Sequence, residues 1–184
     1  LLAVDSSCQV DLIKSKSHVF FIRVLDDQRA GGEDDYEALT AEAKARAHRV
    51  LIDRRVRAAF ALSVMMNKHS NGQKECYQAG IMRVCIRLLQ DKNALLRRWA
   101  LICLAKVWED NEELKRLALH DHPNVTDHVC SRITDASSGV RTAALYALGT
   151  FIITGQPQDS LELNLAFSLR LLSSDTNPMV RSEL

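Results

Sequence analysis

The chain has 184 residues, 47% of them hydrophobic, and a formal net charge of +1 at pH 7. This balance gives no electrostatic reason to expect a nucleic acid or an anionic membrane as a partner. No run of about 18 apolar residues occurs, so we predict no membrane-spanning helix and no direct insertion into a membrane. The seven glycines and three prolines are few for this length, which favours helix over strand.

The first predicted repeat begins with a helix around residues 19–25 and is then interrupted. Residues 28–55 form an insertion at a repeat turn, because the other repeats need only a few residues there. The insertion starts with a Gly-Gly loop and the acidic residues 33–35, and continues as an Ala-rich basic segment that favours helix. Two interpretations stay open for it: a solvated, partly disordered loop, or a docking or phosphorylation-regulated element.

The second helix of each predicted repeat carries an apolar stripe. Offsets 0, 3, 4, 7, 8 and 11, counted from the residue before an arginine, share one helix face. The first repeat places there Val56, Ala59, Phe60, Ser63, Val64 and Asn67. The second repeat places there Leu96, Trp99, Ala100, Cys103, Leu104 and Val107. The third repeat places there Val140, Ala143, Ala144, Ala147, Leu148 and Phe151. A strand period would not produce this pattern.

Similar stripes precede these helices at residues 81–89, 125–133 and 161–172, the last with Asp159 as a candidate N-cap. Neither helix of a unit can hide its stripe alone, but stacked units bury a continuous core. We therefore predict an all-α HEAT/armadillo-type α-solenoid of about four two-helix repeats, winding as a right-handed superhelix. The whole chain, 1–184, forms one solenoid fragment. It starts without Met and stops inside a repeat, so we expect flanking domains beyond it.

An aspartate followed six positions later by an arginine recurs along the chain. The pairs are Asp91 with Arg97, Asp135 with Arg141, and Asp175 with Arg181. A fourth arginine, Arg57, lacks an aspartate six residues before it, and the four arginines follow one another at steps of 40, 44 and 40 residues. Steps near 40 to 47 residues are typical of HEAT and armadillo repeats.

These recurring residues predict a structural ladder. We expect each aspartate to lie at a turn and cap the second helix of its repeat. Each arginine, in the first turn of that helix, can reach the aspartate of its own or of a neighbouring repeat. We interpret the pairs as structural and not catalytic, because a row of such pairs fixes the register of repeats.

The sequence offers little for catalysis, metal binding or a cofactor. His120, His122 and His128 cluster in HDHPNVTDH, but they lack the firm spacing of a zinc site. The five cysteines form no C-x-x-C pair, which favours reduced thiols in a cytosolic protein. No phosphate-binding loop, nucleophile elbow or H-E-x-x-H motif is present. We therefore predict no enzyme activity, no metal and no cofactor.

The two tryptophans lead to different predictions. Trp99 falls on the apolar stripe of its helix and is predicted to lie in the core. Trp108 falls at the edge of the same stripe, near the end of the helix. Core packing and a partly exposed anchor for a partner are both open for Trp108, since tryptophan is enriched in binding hot spots.

Four segments resemble a known family. AVDSSCQVDL near the N-terminus and ALYALGTFI at 144–152 are the most specific, and NALLRRWALICLAKVWED and NPMVRSEL agree with them in order and spacing. They resemble the helical-repeat region of the Raptor family, the regulatory-associated subunits of the TOR kinase complex. The resemblance covers about three quarters of the chain and leaves out the insertion and a divergent stretch at 111–134.

The resemblance implies a non-catalytic scaffold. Raptor-like proteins carry a caspase-like domain before the solenoid and a WD40 propeller after it. Their implied partners are a TOR-family kinase, substrates with a TOR-signalling motif, and Rag-type GTPases, and no nucleic acid. Their implied location is the cytoplasm, with recruitment to the lysosomal or vacuolar surface. The alternative is another HEAT scaffold, such as a phosphatase scaffold subunit or a nuclear transport receptor.

Overall fold

The computed structural model describes residues 6–27, 40–151, 166 and 170–183, and these contain helices and turns but no strand. The helices are α1 Ser6–Lys14, α2 Ser17–Asp26, α3 Ala41–Met66, α4 Ser70–Gln78, α5 Ile81–Leu88, α6 Ala94–Trp108, α7 Glu112–Asp121, α8 Val125–Cys130, α9 Ser138–Phe151 and α10 Pro178–Ser182. The predicted all-α solenoid is confirmed. Most of the predicted helix at 161–172, with its cap Asp159, lies outside the described residues.

Each complete unit contains a short helix in addition to the two that the apolar stripes indicate. The units are α1–α3, α4–α6 and α7–α9, which is the three-helix plan of an armadillo repeat. In the second unit, Gly80 separates α4 from α5 with a φ of 86°, a left-handed conformation that glycine adopts without strain. Helix α4 buries only Gly72, Gln73 and Cys76, so it has no apolar stripe for a periodicity search to find.

The third helices of the units form the centre of the structure, where α3 packs on α6 and α6 packs on α9. The predicted stripe of α9 is buried throughout, from Val140 to Phe151. The stripe of α6 is buried as well, apart from Trp99, which is half-buried. One continuous core therefore runs through all three units, as stacking of repeats requires.

The predicted stripe of the first unit is only partly correct, because Ala59 and Ser63 are buried but its other four residues are not. Phe60 is 49% exposed, whereas Ala58, Leu62 and Met66 are buried. The prediction aligned Arg57 with Arg97 of the next unit. In the structure the residue equivalent to Arg97 is Arg55, two positions earlier, because each of these two arginines donates to a backbone carbonyl that precedes its helix. A shift of two residues rotates the assigned face by about 200°, which moves core positions to the surface.

Helix α3 is much longer than its equivalents, with 26 residues against 15 in α6 and 14 in α9. It begins after Thr40, whose hydroxyl accepts a hydrogen bond from the N–H of Ala43. Residues 41–55 of the predicted insertion are therefore helical and continuous with the repeat, and not a loop. Residues 28–39 lie outside the described part of the chain.

A glutamine in the first helix of a unit closes the C-terminal end of the third helix. Gln9 donates to the carbonyls of Val64 and Asn67, at 2.8 and 3.0 Å. Gln73 donates in the same way to the carbonyls of Lys106 and Glu109, at 3.0 and 2.8 Å. The last carbonyls of a helix have no partner within it, so these side chains replace water at a buried end.

We expect Gln73→Ala to lower the free energy of unfolding by about 1–3 kcal/mol, because it leaves two carbonyls and the amide of Asn111 without their partner in a dry site. Urea denaturation measures the change. Gln78→Ala, at an exposed position of the same helix, is the matched control and should change stability little. Equal effects of the two substitutions would contradict the role given to Gln73.

Candidate functional site

The recurring arginines join consecutive units. Arg97 donates from Nε and Nη2 to the two carboxylate oxygens of Asp135, at 2.8 and 2.7 Å. Arg141 makes the same two-pronged contact with Asp175, at 2.6 and 2.8 Å. The sequence left open whether each arginine binds the aspartate of its own repeat or that of a neighbouring repeat. The structure shows that Arg97 and Arg141 bind the aspartate of the following unit. Paired bonds of this kind fix the angle between the groups as well as their distance.

The same arginines also hold the turn of their own unit. Nη1 of Arg97 donates to the carbonyl of Asp91 at 2.9 Å, and Nη1 of Arg181 donates to the carbonyl of Asp175 at 2.6 Å. The guanidinium of Arg97 therefore ties the backbone of its own turn to the carboxylate of the next unit. The side chains of Arg97 and Asp135 are only 14% and 4% exposed. The surrounding protein therefore shields this pair from water.

The predicted capping role of the aspartates is wrong, because the cap lies two residues later. The side chain of Asn93 accepts from the N–H groups of Leu95 and Leu96 at the start of α6. Asp91 instead accepts from the N–H of Asn93 at 2.8 Å, which closes a tight turn just before the cap. The spacing between aspartate and helix thus serves the turn: Oδ1 of Asp135 and of Asp175 accepts from a backbone N–H of the turn and also from the arginine of the preceding unit, while Oδ2 accepts from that arginine.

In the first unit Arg55 and not Arg57 takes the place of the ladder arginine. Arg55 is 4% exposed, donates to the carbonyl of Leu25 at 2.9 Å and lies 3.5 Å from a carboxylate oxygen of Asp91. Arg57 is exposed. The arginines Arg55, Arg97, Arg141 and Arg181 therefore follow one another at steps of 42, 44 and 40 residues.

The pKa values of Asp135 and Asp175 lie below the ordinary value of an aspartate. Burial alone would raise the pKa of Asp135, but the hydrogen bonds from Arg97 and Ser137 and the charges of Arg97 and Arg132 outweigh it. For Asp175 the hydrogen bonds from Arg141 lower the pKa most. The folded chain thus holds these carboxylates ionised more firmly than the unfolded chain does, which links its stability to pH.

We expect the stability that Asp135 contributes to be present in full above its unfolded pKa of about 3.9 and to be lost as the pH falls through its lower folded pKa. The measurement is the difference in unfolding free energy between the wild type and Asp135→Asn from pH 6 downwards. That difference should narrow below about pH 4, because the carboxylate then binds a proton more readily in the unfolded chain than in the folded chain. A difference that stays constant with pH would contradict the linkage.

The structure confirms core packing for Trp108, one of its two open interpretations, and corrects the prediction for Trp99. Trp108 is 1% exposed, stacks edge-on against Phe151 with ring centroids 4.6 Å apart, and donates from Nε1 to the hydroxyl of Thr150 at 3.0 Å. It is therefore not an exposed anchor for a partner. Trp99, predicted to be core, is half-buried and meets the ring of Phe60 edge-on at 5.7 Å.

The exposed sides of the third helices form a surface with several aromatic rings. We call Phe60, Leu95, Trp99 and Tyr146 the third-helix surface. Phe60 and Leu95 are each 49% exposed. On α9 the hydroxyl of Tyr146 donates to Glu109 at 2.7 Å, and the Lys106 ammonium lies 5.3 Å from the tyrosine ring centroid. Large apolar side chains that stay partly exposed on neighbouring helices are typical of surfaces that bind other proteins.

The described residues offer no metal centre, because no group of three histidine, cysteine, aspartate or glutamate side chains among them could hold an ion. Cys76, Cys85 and Cys103 are buried in the core. Burial raises the pKa of Cys76 to about 12, which keeps it as a thiol. Within the part of the chain that the structure describes, no helix has the length and hydrophobicity to cross a membrane.

Comparisons with known proteins agree with this geometry, although no family model matches the chain. The chain is 35% identical over its full length to regulatory-associated protein of TOR 2 of Oryza sativa subsp. japonica. It is 34% identical over 95% of its length to the protein raptor homolog of Dictyostelium discoideum. It spans only 13% and 10% of these two relatives.

Solved structures lead to the same relatives. The crystal structure of Chaetomium thermophilum Raptor matches 99% of the chain with a TM-score of 0.79 at 27% identity, and the chain covers 16% of it. A designed armadillo repeat protein matches 95% of the chain with a TM-score of 0.68 at 18% identity, and the chain covers 64% of it, which supports the fold alone. The whole chain, including the insertion and the stretch at 111–134, is thus homologous to one segment of the Raptor proteins, the regulatory-associated proteins of TOR.

Proposed function

We propose that the chain is part of a non-catalytic scaffold of the TOR kinase complex. The observation that carries this proposal is the match, over 95% or more of the chain, to a regulatory-associated protein of TOR, to a raptor homolog and to a protein named as a subunit of target of rapamycin complex 1 in Schizosaccharomyces pombe. Because the chain spans so small a share of these relatives, the activity and partners of the whole protein are inferred and not read from the fold.

The geometry supports a scaffold because it favours rigidity between units. The two-pronged bonds of Arg97 to Asp135 and of Arg141 to Asp175 connect the second unit to the third, and the third to the turn that follows it, at a fixed angle. At the opposite end of the third helices, Gln9 and Gln73 close the backbone. The glutamines stiffen each unit from inside and the arginines join units, and such a stack can keep partner-binding surfaces at a constant separation, which is how a scaffold acts.

The third-helix surface is the proposed contact with the kinase. Trp99 and Phe60 present a partly exposed aromatic pair on two consecutive units, and aromatic residues supply much of the binding energy of protein interfaces. Two further classes of partner, substrates with a TOR-signalling motif and Rag-type GTPases, are proposed from the resemblance alone. The same holds for a cytoplasmic location with recruitment to lysosomal or vacuolar surfaces.

Affinity purification of the full-length protein from its own cells tests the proposal. We expect a TOR-family kinase in the purified complex, and less of it after Phe60→Asp, which places a charge on the third-helix surface without disturbing the core. If the kinase is retained equally by the variant, the proposed surface is wrong. A phosphatase catalytic subunit or a Ran-type GTPase in place of the kinase would favour the alternative scaffold.

A further inference from the structure

A second exposed apolar region lies in the first unit, between α2 and the N-terminal half of α3. It is a groove of about 470 Å³ whose walls include Phe20, Phe21 and Val24 from α2 and Val50 and Ala58 from α3. Phe20 and Val50 are each 62% exposed, although both are apolar. The groove is separate from the third-helix surface, whose member on α3 is Phe60.

The groove exists because α3 extends beyond its equivalents. With the step of 42 residues between the first two units, Asp53 is equivalent to Leu95, which stands at the start of α6. Val50 lies three residues before Asp53, in the part of α3 that has no equivalent in α6. The extra turns of α3 therefore add a wall beside α2 that has no counterpart in α6 or α9. Phe20 and Phe21, with ring centroids 5.6 Å apart, form the opposite wall.

Positive charge flanks the apolar centre. On the face of α3 that carries Val50, Arg46 lies four residues before Val50 and Arg57 lies seven residues after it. Both arginines are exposed. At 1.5 Å per residue they are about 16 Å apart along the helix axis. Arg54, which also lines the groove, is paired with Asp27 at 2.8 Å and is largely neutralised. Asp53 places one negative charge between them.

We propose that this groove binds a short amphipathic helix of another protein, with apolar residues on one face and acidic residues near both ends. A cleft between two helices accepts a helix through side chains at positions i, i+3, i+4 and i+7. Acidic residues about three turns apart on that helix would reach Arg46 and Arg57.

Other partners fit the groove less well. A nucleic acid needs a continuous run of cations, and here Asp53 and an apolar centre interrupt the positive charge. An anionic membrane favours a helix that presents its apolar residues outward on one face. Here the apolar side chains of α2 and α3 face each other across a cleft.

Fluorescence anisotropy with a labelled synthetic peptide tests the proposal. The probe is a helical peptide of about 16 residues with leucines at i, i+3, i+4 and i+7 and two glutamates near each end. The protein is the 184-residue chain. The test variants are Val50→Asp and Arg57→Glu, both at exposed positions, so their folding should be unaffected. The matched control is Arg98→Glu, an exposed arginine on α6.

We expect saturable binding that weakens about tenfold or more in each test variant and is unchanged in the control. A peptide with lysines in place of the glutamates should bind more weakly than the probe. The proposal is overturned if the probe does not bind, or binds all variants equally. It is also overturned if phosphatidylserine vesicles bind in place of the peptide, or if Val50→Asp only converts a dimer of the chain to a monomer. None of these results depends on whether a TOR-family kinase is recovered.

Discussion

Trp108→Ala is expected to lower the free energy of unfolding by about 3–5 kcal/mol, the range for a large aromatic side chain removed from a core. The indole ring is 1% exposed, packs edge-on against Phe151 of the next unit and donates to Thr150. Its loss leaves a cavity between α6 and α9 and removes the hydrogen bond that the Thr150 hydroxyl accepts, although this hydroxyl keeps its bond to the carbonyl of Ala147. Urea denaturation followed by circular dichroism measures the change, since the substitution removes one of the two fluorescent tryptophans.

Trp99→Ala is the matched control for this prediction. Trp99 has the same side chain on the same helix, but it is half-buried and its ring partner Phe60 is 49% exposed. Less apolar area is lost from the core, so the cost should be clearly smaller. If Trp99→Ala destabilised the chain more than Trp108→Ala, the placement of the two rings described above would be wrong.

Asp135→Ala is expected to cost about 3 kcal/mol, at the lower end of the range for breaking a buried ion pair. The substitution leaves the guanidinium of Arg97 without its carboxylate in a site where that guanidinium is only 14% exposed. The cost stays at the lower end because Arg97 keeps its bonds to the carbonyls of Asp91 and Lys92. The free energy from urea denaturation at neutral pH gives the measurement.

A double-mutant cycle separates this pair from its surroundings. The cost of Asp135→Ala should fall when Arg97 is already alanine, because the charge that was left unpaired is then absent. Asp53→Ala, at an exposed position of α3, serves as the control and should change stability little. Additive effects of the two ladder substitutions would show that the contact between the units contributes no coupling energy.

The sequence indicates the solenoid because the stripes of α6 and α9 are almost wholly apolar and keep their period over a full helix. The short first helices escape notice because residues such as Gln73 are buried by hydrogen bonds to a neighbouring helix end and not by hydrophobicity. The first unit is misaligned because Val-Arg-Ala-Ala occurs at Arg57, while the residue that makes the bonds is Arg55. A local pattern cannot distinguish two arginines that lie two positions apart.

The ladder is visible in the sequence as a recurring spacing, but its direction is not. Asp91 and Arg97 are six residues apart, yet the carboxylate that Arg97 binds belongs to Asp135 of the next unit. The exposed surfaces are harder still to predict. Phe60 and Val50 look like core residues in the sequence, and only the packing of α2 and α6 around α3 shows that both are largely exposed.

The central claim is that the three units form one body, held together by their shared core and the ladder. Native-state hydrogen exchange at increasing urea tests it most directly, through the buried amides of α3, α6 and α9. We expect these amides to share one opening free energy and one dependence on urea, because the units open together. Separate opening free energies for the three helices, each with its own urea dependence, would contradict the claim.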